Sequence, residues 1–202
     1  MPYRHWLLAF ILLLSLLVGC GAVAPAEAEQ PLRVGVSVAP QAYFLQRLGG
    51  ERVSVTVLVP PGADAHTYEP KPEQLKVLSQ AQLYFRIGIE FETAWMDRLT
   101  SGRNLRVVDT TQGIALLPLA EGHSHEQKAG DHQEGLPDPH IWLSPSLVKV
   151  QAQTIHAALV ETDPAYRAMY DENLRQFLDE LDALDAELRQ TLSGLQSRRF
   201  MV

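Results

Sequence analysis

Cysteine is almost absent. The 202 residues hold one, Cys20, which excludes an intramolecular disulfide framework and any CxxC zinc or redox site. Positive charge is in deficit: 17 Lys and Arg face 24 Asp and Glu, a formal net charge of −7. That balance argues against a protein that grips nucleic acid by a general basic surface. No apolar run reaches the roughly 20 residues of a membrane-spanning helix. There is no HExxH and no nucleophile beside a base, so the sequence does not read as an enzyme. Internal repeats are also missing. What is present is a globular balance, 46% hydrophobic and 20% charged, which excludes a disordered or collagen-like chain.

The N-terminus reads as a targeting segment. Arg4 supplies a cationic start, and Trp6 to Val18 form thirteen residues that are apolar except for Ser15. That is the length of a secretory h-region. Leu17-Val18-Gly19-Cys20 is similar to the bacterial lipobox, with Cys20 as the lipidated residue. Residues 1–19 are thus expected to be a lipoprotein signal peptide. Residues 20–31, small, polar and Pro-containing, are expected to be the lipidated tether.

Beyond the tether, strand and helix patterns alternate. Leu32 to Val38 and Val53 to Val59 alternate as strands, and Leu83 to Ile89 and Leu105 to Val108 supply two more. Helices are expected over 41–48, 72–80, 93–99 and about 146–160. This order predicts an α/β lobe with a parallel sheet over residues 32–162. Asp163 and Pro164 read as the N-cap and first position of a further helix. Its apolar residues recur every three or four positions from Tyr166 to Leu195, predicting one long helix of about 45 Å over 163–195. The acidic run Asp179 to Glu187 reads as its solvated face. Residues 196–202 look like the start of another strand.

Seven histidines are distributed unevenly. His5 falls in the signal, and His156 inside an amphipathic helix. His66 and His140 each follow a turn-forming run, PPGADAH and GLPDPH, and His66 comes just after a strand. Ligand sites in α/β sheets gather beyond the carboxyl ends of strands, and imidazole is the commonest metal ligand. The 74 residues between them mean that only the fold can bring the two together. His123, His125 and His132 lie in a polar loop, 120–135, with Glu121, Glu126, Asp131 and Glu134. That loop reads either as a solvated acidic segment or as an auxiliary metal collector.

GADAHTYEPKPEQL, AQLYFRIGIEFETAWMDRL, VVDTTQGIALLPL and DPHIWLSP, followed by the long helix and RRFMV, occur in that order. Together they resemble the metal-binding lipoproteins of bacterial zinc and manganese ABC importers, across essentially all of 32–202. The sequence departs from them at Ala65, where the family usually has proline or an acidic residue. The resemblance implies a C-clamp of two α/β lobes joined by a long connecting helix, with metal in the cleft. It implies that His66 and His140 are the first lobe's ligands. It also implies a third histidine and a carboxylate from a second lobe. On this reading the chain is C-terminally truncated, and that lobe is largely missing.

The expected function is then non-catalytic capture of a divalent metal ion outside the cytoplasmic membrane. The implied partners are an ABC permease and its ATPase subunit, with the membrane reached through the lipid on Cys20. Zn2+ is favoured because the His-rich loop resembles those of the zinc branch and because imidazole suits zinc, whereas Mn2+ prefers oxygen ligands. The alternatives are a manganese- or iron-binding relative and a surface adhesin lipoprotein.

Overall fold

The structure, a computed structural model, describes residues 30–64, 68–118 and 137–196. Four short strands, β1 (Leu32–Val36), β2 (Val53–Val57), β3 (Leu83–Arg86) and β4 (Arg106–Asp109), form a single sheet in the order β2-β1-β3-β4. Every pairing is parallel. The connections carry helices α1 (Ala39–Gly49), α2 (Pro72–Leu78) and α3 (Glu90–Thr100). Two longer helices follow, α4 (Pro145–Thr162) and α5 (Arg167–Leu192). Prolines open α2 and α4 in their first turn, where a missing N–H costs nothing.

Strand alternation sorts the core onto two faces. Leu32, Val34, Val36, Leu83 and Phe85 point one way, into a cluster with Phe44, Leu45 and Leu48 of α1 and with the buried faces of α4 and α5. Tyr84 points the other way, into a second cluster with Leu78 of α2 and with Phe91 and Leu99 of α3. Gly35 lies between these residues on β1. A Cβ there would sit well inside contact distance of Leu78 Cδ1 and 2.7 Å from Tyr84 Cδ2, so glycine lets helix and strand close on each other.

The parallel α/β reading of the sequence and its long final helix are both present. Three of the four expected strands end two or three residues early, although Leu58 and Val59 still donate to the Val36 and Ser37 carbonyls just past the ends of β1 and β2. The expected helix start at Asp163 is met in position, with Asp163 at the N-cap and Pro164 first, but not in its capping chemistry. Its side chain makes no capping bond, and a 3₁₀ turn, Pro164–Tyr166, precedes α5. Asp163 Oδ2 instead accepts from Arg52 Nε at 2.6 Å and from the Tyr170 hydroxyl at 2.9 Å, while Arg52 covers the Tyr166 ring. A tertiary contact has taken the carboxylate that local chemistry would have given to the helix. With 26 residues, α5 is about 39 Å long.

Helix α5 packs against α1 and α4 along its first half, where Tyr170, Phe177 and Leu181 are buried. Asn173 adds a bond to the Leu48 carbonyl at 2.8 Å. Further along, Leu184, Leu188 and Leu192 continue the same stripe but stand 41–56% exposed. Apart from buried Leu181 and half-buried Asp185, the run from Asp179 to Glu187 is solvent-facing, as its charge predicts.

Candidate functional site

In a sheet of order β2-β1-β3-β4 the strand order reverses between β1 and β3, the switch point at whose carboxyl ends parallel sheets have their crevice. Two buried polar side chains fill it. Gln41, from α1, accepts at Oε1 from the Ser37 and Val38 amides at 3.1 and 3.3 Å and donates through Nε2 to the Phe85 carbonyl at 3.0 Å. Glu92, from α3, accepts from the Ile87 amide at 2.8 Å and the Gly88 amide at 2.6 Å. The Ser37 hydroxyl also donates to Glu92 and lies 2.6 Å from the Tyr84 hydroxyl. Burial raises the Glu92 carboxyl above the ordinary glutamate range, opposed by the Ser37 and backbone donors and by the Arg86 charge. Burial pushes the Tyr84 hydroxyl upward in the same way. The backbone groups that would cradle a ligand in an open crevice are therefore occupied from within, and a ligand must sit above them.

His140 stands in a short segment built for display. The Asp138 amide donates to the Leu117 carbonyl at 2.7 Å, beside an antiparallel bridge between Pro118 and Pro137. Asp138 Oδ1 accepts the His140 amide at 3.0 Å, an Asx turn of the kind that aspartate favours two residues ahead. The same oxygen lies 2.7 Å from His140 Nδ1. Beyond the histidine, Ile141 is buried in the cluster that holds Ile87, Ile89 and Phe91. Trp142 packs on both clusters and sets its ring 5.0 Å from the imidazole. The imidazole itself is about half exposed, at 49%.

The described residues that flank His66 in the chain are hydrogen-bonded on either side. The Ala63 amide closes a turn onto the Pro60 carbonyl at 3.1 Å, around Gly62 at φ +83°, a left-handed conformation that glycine adopts without strain. On the other side the Tyr68 hydroxyl donates to Gln74 Oε1 at 2.6 Å, and Gln74 Nε2 donates to the Leu58 carbonyl at 2.7 Å. Ala63 and Tyr68 both pack on the cluster that buries Ile141. His66 itself lies outside the described residues, as do His123, His125, His132 and Cys20. Among the described residues no three His, Cys, Asp or Glu side chains gather as a metal site.

Other sequence candidates are placed as follows. His156 Nε2 lies 2.6 Å from Asp171 Oδ1, so this histidine ties α4 to α5, away from the strand ends. Glu90 is exposed, and Trp95 stacks on Phe91 with Arg98 over its outer face. A groove of about 350 Å³ lined by Tyr43, Trp142, Leu143, Phe177, Leu184 and Leu188 is apolar, and its one carboxylate, Glu180, is paired with Arg47. It offers a metal nothing. Reading the sequence missed Gln41, Glu92 and Asp138. Only Asp138 left a signal, in its place two residues before a histidine.

The geometry defines a parallel α/β lobe that presents an anchored imidazole beyond its strand ends. A model of the family described as zinc-uptake complex component A, periplasmic, matches residues 34–202, and the chain belongs to that family. Among solved structures, a zinc-bound ZnuA deletion mutant is 45% identical with a TM-score of 0.76, covering 85% of this chain and 62% of that one. The metal ABC transporter substrate-binding lipoprotein SsaB of Streptococcus sanguinis is 31% identical over 164 residues, 80% of this chain and 52% of that protein. The manganese ABC transporter substrate-binding lipoprotein PsaA of Streptococcus anginosus is 28% identical over 199 residues, 97% of this chain and 63% of that protein. The chain thus spans less than two thirds of the length of these relatives. The family consists of substrate-binding components of metal transporters, not enzymes.

Proposed function

We propose that this protein captures a divalent metal ion, zinc before manganese, outside the cytoplasmic membrane and passes it to an ABC permease driven by its ATPase. The lobe 32–162 binds the metal through His66 and His140. The helix over 163–195 joins it to a second lobe that begins at 196–202. His123, His125 and His132 of loop 120–135 collect ions beside the site. Cys20, exposed by removal of 1–19, holds the protein to the membrane by lipid through the tether 20–31. The observation that carries this reading is the likeness to a zinc-bound structure at 45% identity, together with an imidazole displayed beyond the strand ends. The manganese-named relatives support the second metal.

Zinc titration of the chain and of H66A and H140A tests the assignment. Each variant is expected to weaken zinc binding at least tenfold, and unchanged affinity in both would overturn it. Binding requires neutral imidazoles, so wild-type affinity should be lower at pH 5.5 than at 7.5. Manganese titrated in parallel ranks the two metals. Binding to a cell surface that survives chelation would favour the adhesin reading instead.

A further inference from the structure

Resting on His140 as a ligand, we propose that Asp138 is its positioning residue: it fixes the imidazole with the proton on Nδ1 and leaves Nε2 as the metal donor.

One carboxylate oxygen receives both the His140 amide, at 3.0 Å, and Nδ1, at 2.7 Å. Ionised carboxylates only accept, so Nδ1 is the donor in this bond and carries the proton. In a neutral ring the lone pair then sits on Nε2, at the far edge. Three restraints hold the half-exposed ring in place. The Asx turn fixes the backbone, the Asp138 amide bond to the Leu117 carbonyl fixes the carboxylate's own residue, and the Trp142 ring limits rotation of the imidazole. Pro139, between the two residues, restricts φ and shortens the set of alternative turns. A carboxylate behind a metal-binding imidazole both orients the ring and strengthens it as a donor, and losing such a partner costs roughly 10–100-fold in metal affinity.

The experiment compares wild type with D138A, D138N and H140A, in two measurements. Zinc affinity is expected to fall about 10–100-fold in D138A and to recover largely in D138N, whose amide oxygen still accepts from Nδ1. In the metal-free protein at pH 8, long-range ¹H–¹⁵N spectra of the ring are expected to show His140 protonated at Nδ1. The same signal, identified by its loss in H140A, should lose that preference in D138A and keep it in D138N. The tautomer needs no zinc and is not moved by a general loss of stability. If H140A weakens zinc binding while D138A changes neither affinity nor tautomer, the inference about Asp138 is overturned and the ligand assignment stands. If H140A binds zinc like wild type, the ligand assignment fails, and with it the role of Asp138 in positioning a metal donor, whatever the tautomer.

Discussion

Glu92 accepts the backbone amides of both Ile87 and Gly88, so a side chain from α3 ends β3 from inside the molecule. Its other contact, the Ser37 hydroxyl, belongs to the residue just after β1. One buried carboxyl group therefore closes the ends of the two central strands. Replacing it by alanine leaves several donors without an acceptor, at about 1–3 kcal/mol each. E92A is expected to lose about 2–4 kcal/mol in urea unfolding, and E92Q less, because its amide oxygen still accepts.

The same group sets a pH dependence. Burial raises the folded-state pKa of Glu92 above its ordinary 4.5, so folding favours the neutral form. Its contribution is fully present below about 4.5 and is lost as pH rises through the folded-state value. The stability of wild type relative to E92Q should therefore decline as pH rises above about 4.5. A difference that stays flat, or grows with pH, would contradict the raised value.

Gly35 is required by packing and not by backbone conformation. An added methyl group meets Leu78 and Tyr84, and the Tyr84 hydroxyl is held by Ser37 and cannot easily retreat. G35A is expected to destabilise by about 1–3 kcal/mol, the usual cost of overpacking, measured by thermal unfolding.

Gln151 on α4 is fully buried, yet neither Nε2 nor Oε1 finds a partner among the described residues. Removing a polar group whose bonds are unmade is favourable or neutral when the shape is kept. Q151M is expected to leave stability unchanged or raise it by about 1 kcal/mol. A loss above that would mean the amide is satisfied after all.

Asp163 joins three parts of the chain: Arg52 before β2, the turn after α4, and Tyr170 on α5. Its side chain and that of Arg52 are only 10% and 14% exposed. D163A should cost about 3 kcal/mol, since it removes the acceptor from a buried charge. A double-mutant cycle with R52M should show a coupling of about 1–3 kcal/mol, and none would place the pair among inert surface contacts.

These residues also mark what was legible beforehand. The alternation in LRVGVSV, the proline at Pro72 and the three- and four-residue spacing from Tyr166 onward report local backbone choices, and the elements follow them. Asp163 was read as a cap because its neighbours on the chain invite it; Arg52, 111 positions away, was invisible. Glu92 gave no sign of its role, because a glutamate in a first helical turn is ordinary and its partners arrive through strand order. His140 was visible as a candidate, since aspartate, proline and histidine in sequence already describe a turn. What the sequence did not convey was that the same aspartate reaches the ring.

Helix α5 carries two stabilities within one hydrogen-bonded ladder. Its first half is fixed by Tyr170, Phe177 and Leu181, each contributing on the order of 1.5–3 kcal/mol by burial. After Asp182, itself bridged to Lys149 at 2.5 Å, the ladder has mainly its own propensity and the Arg189–Asp185 pair, which is worth a few tenths of a kcal/mol. A helical segment of about ten residues is marginal on those terms. Amide protons should therefore exchange slowly up to Leu181 and orders of magnitude faster beyond it, a step that mass spectrometry of peptic fragments would reveal. Any surface that covers Leu184, Leu188 and Leu192 would move that step outward, so the position at which exchange accelerates becomes a gauge of whether the leucine stripe is covered.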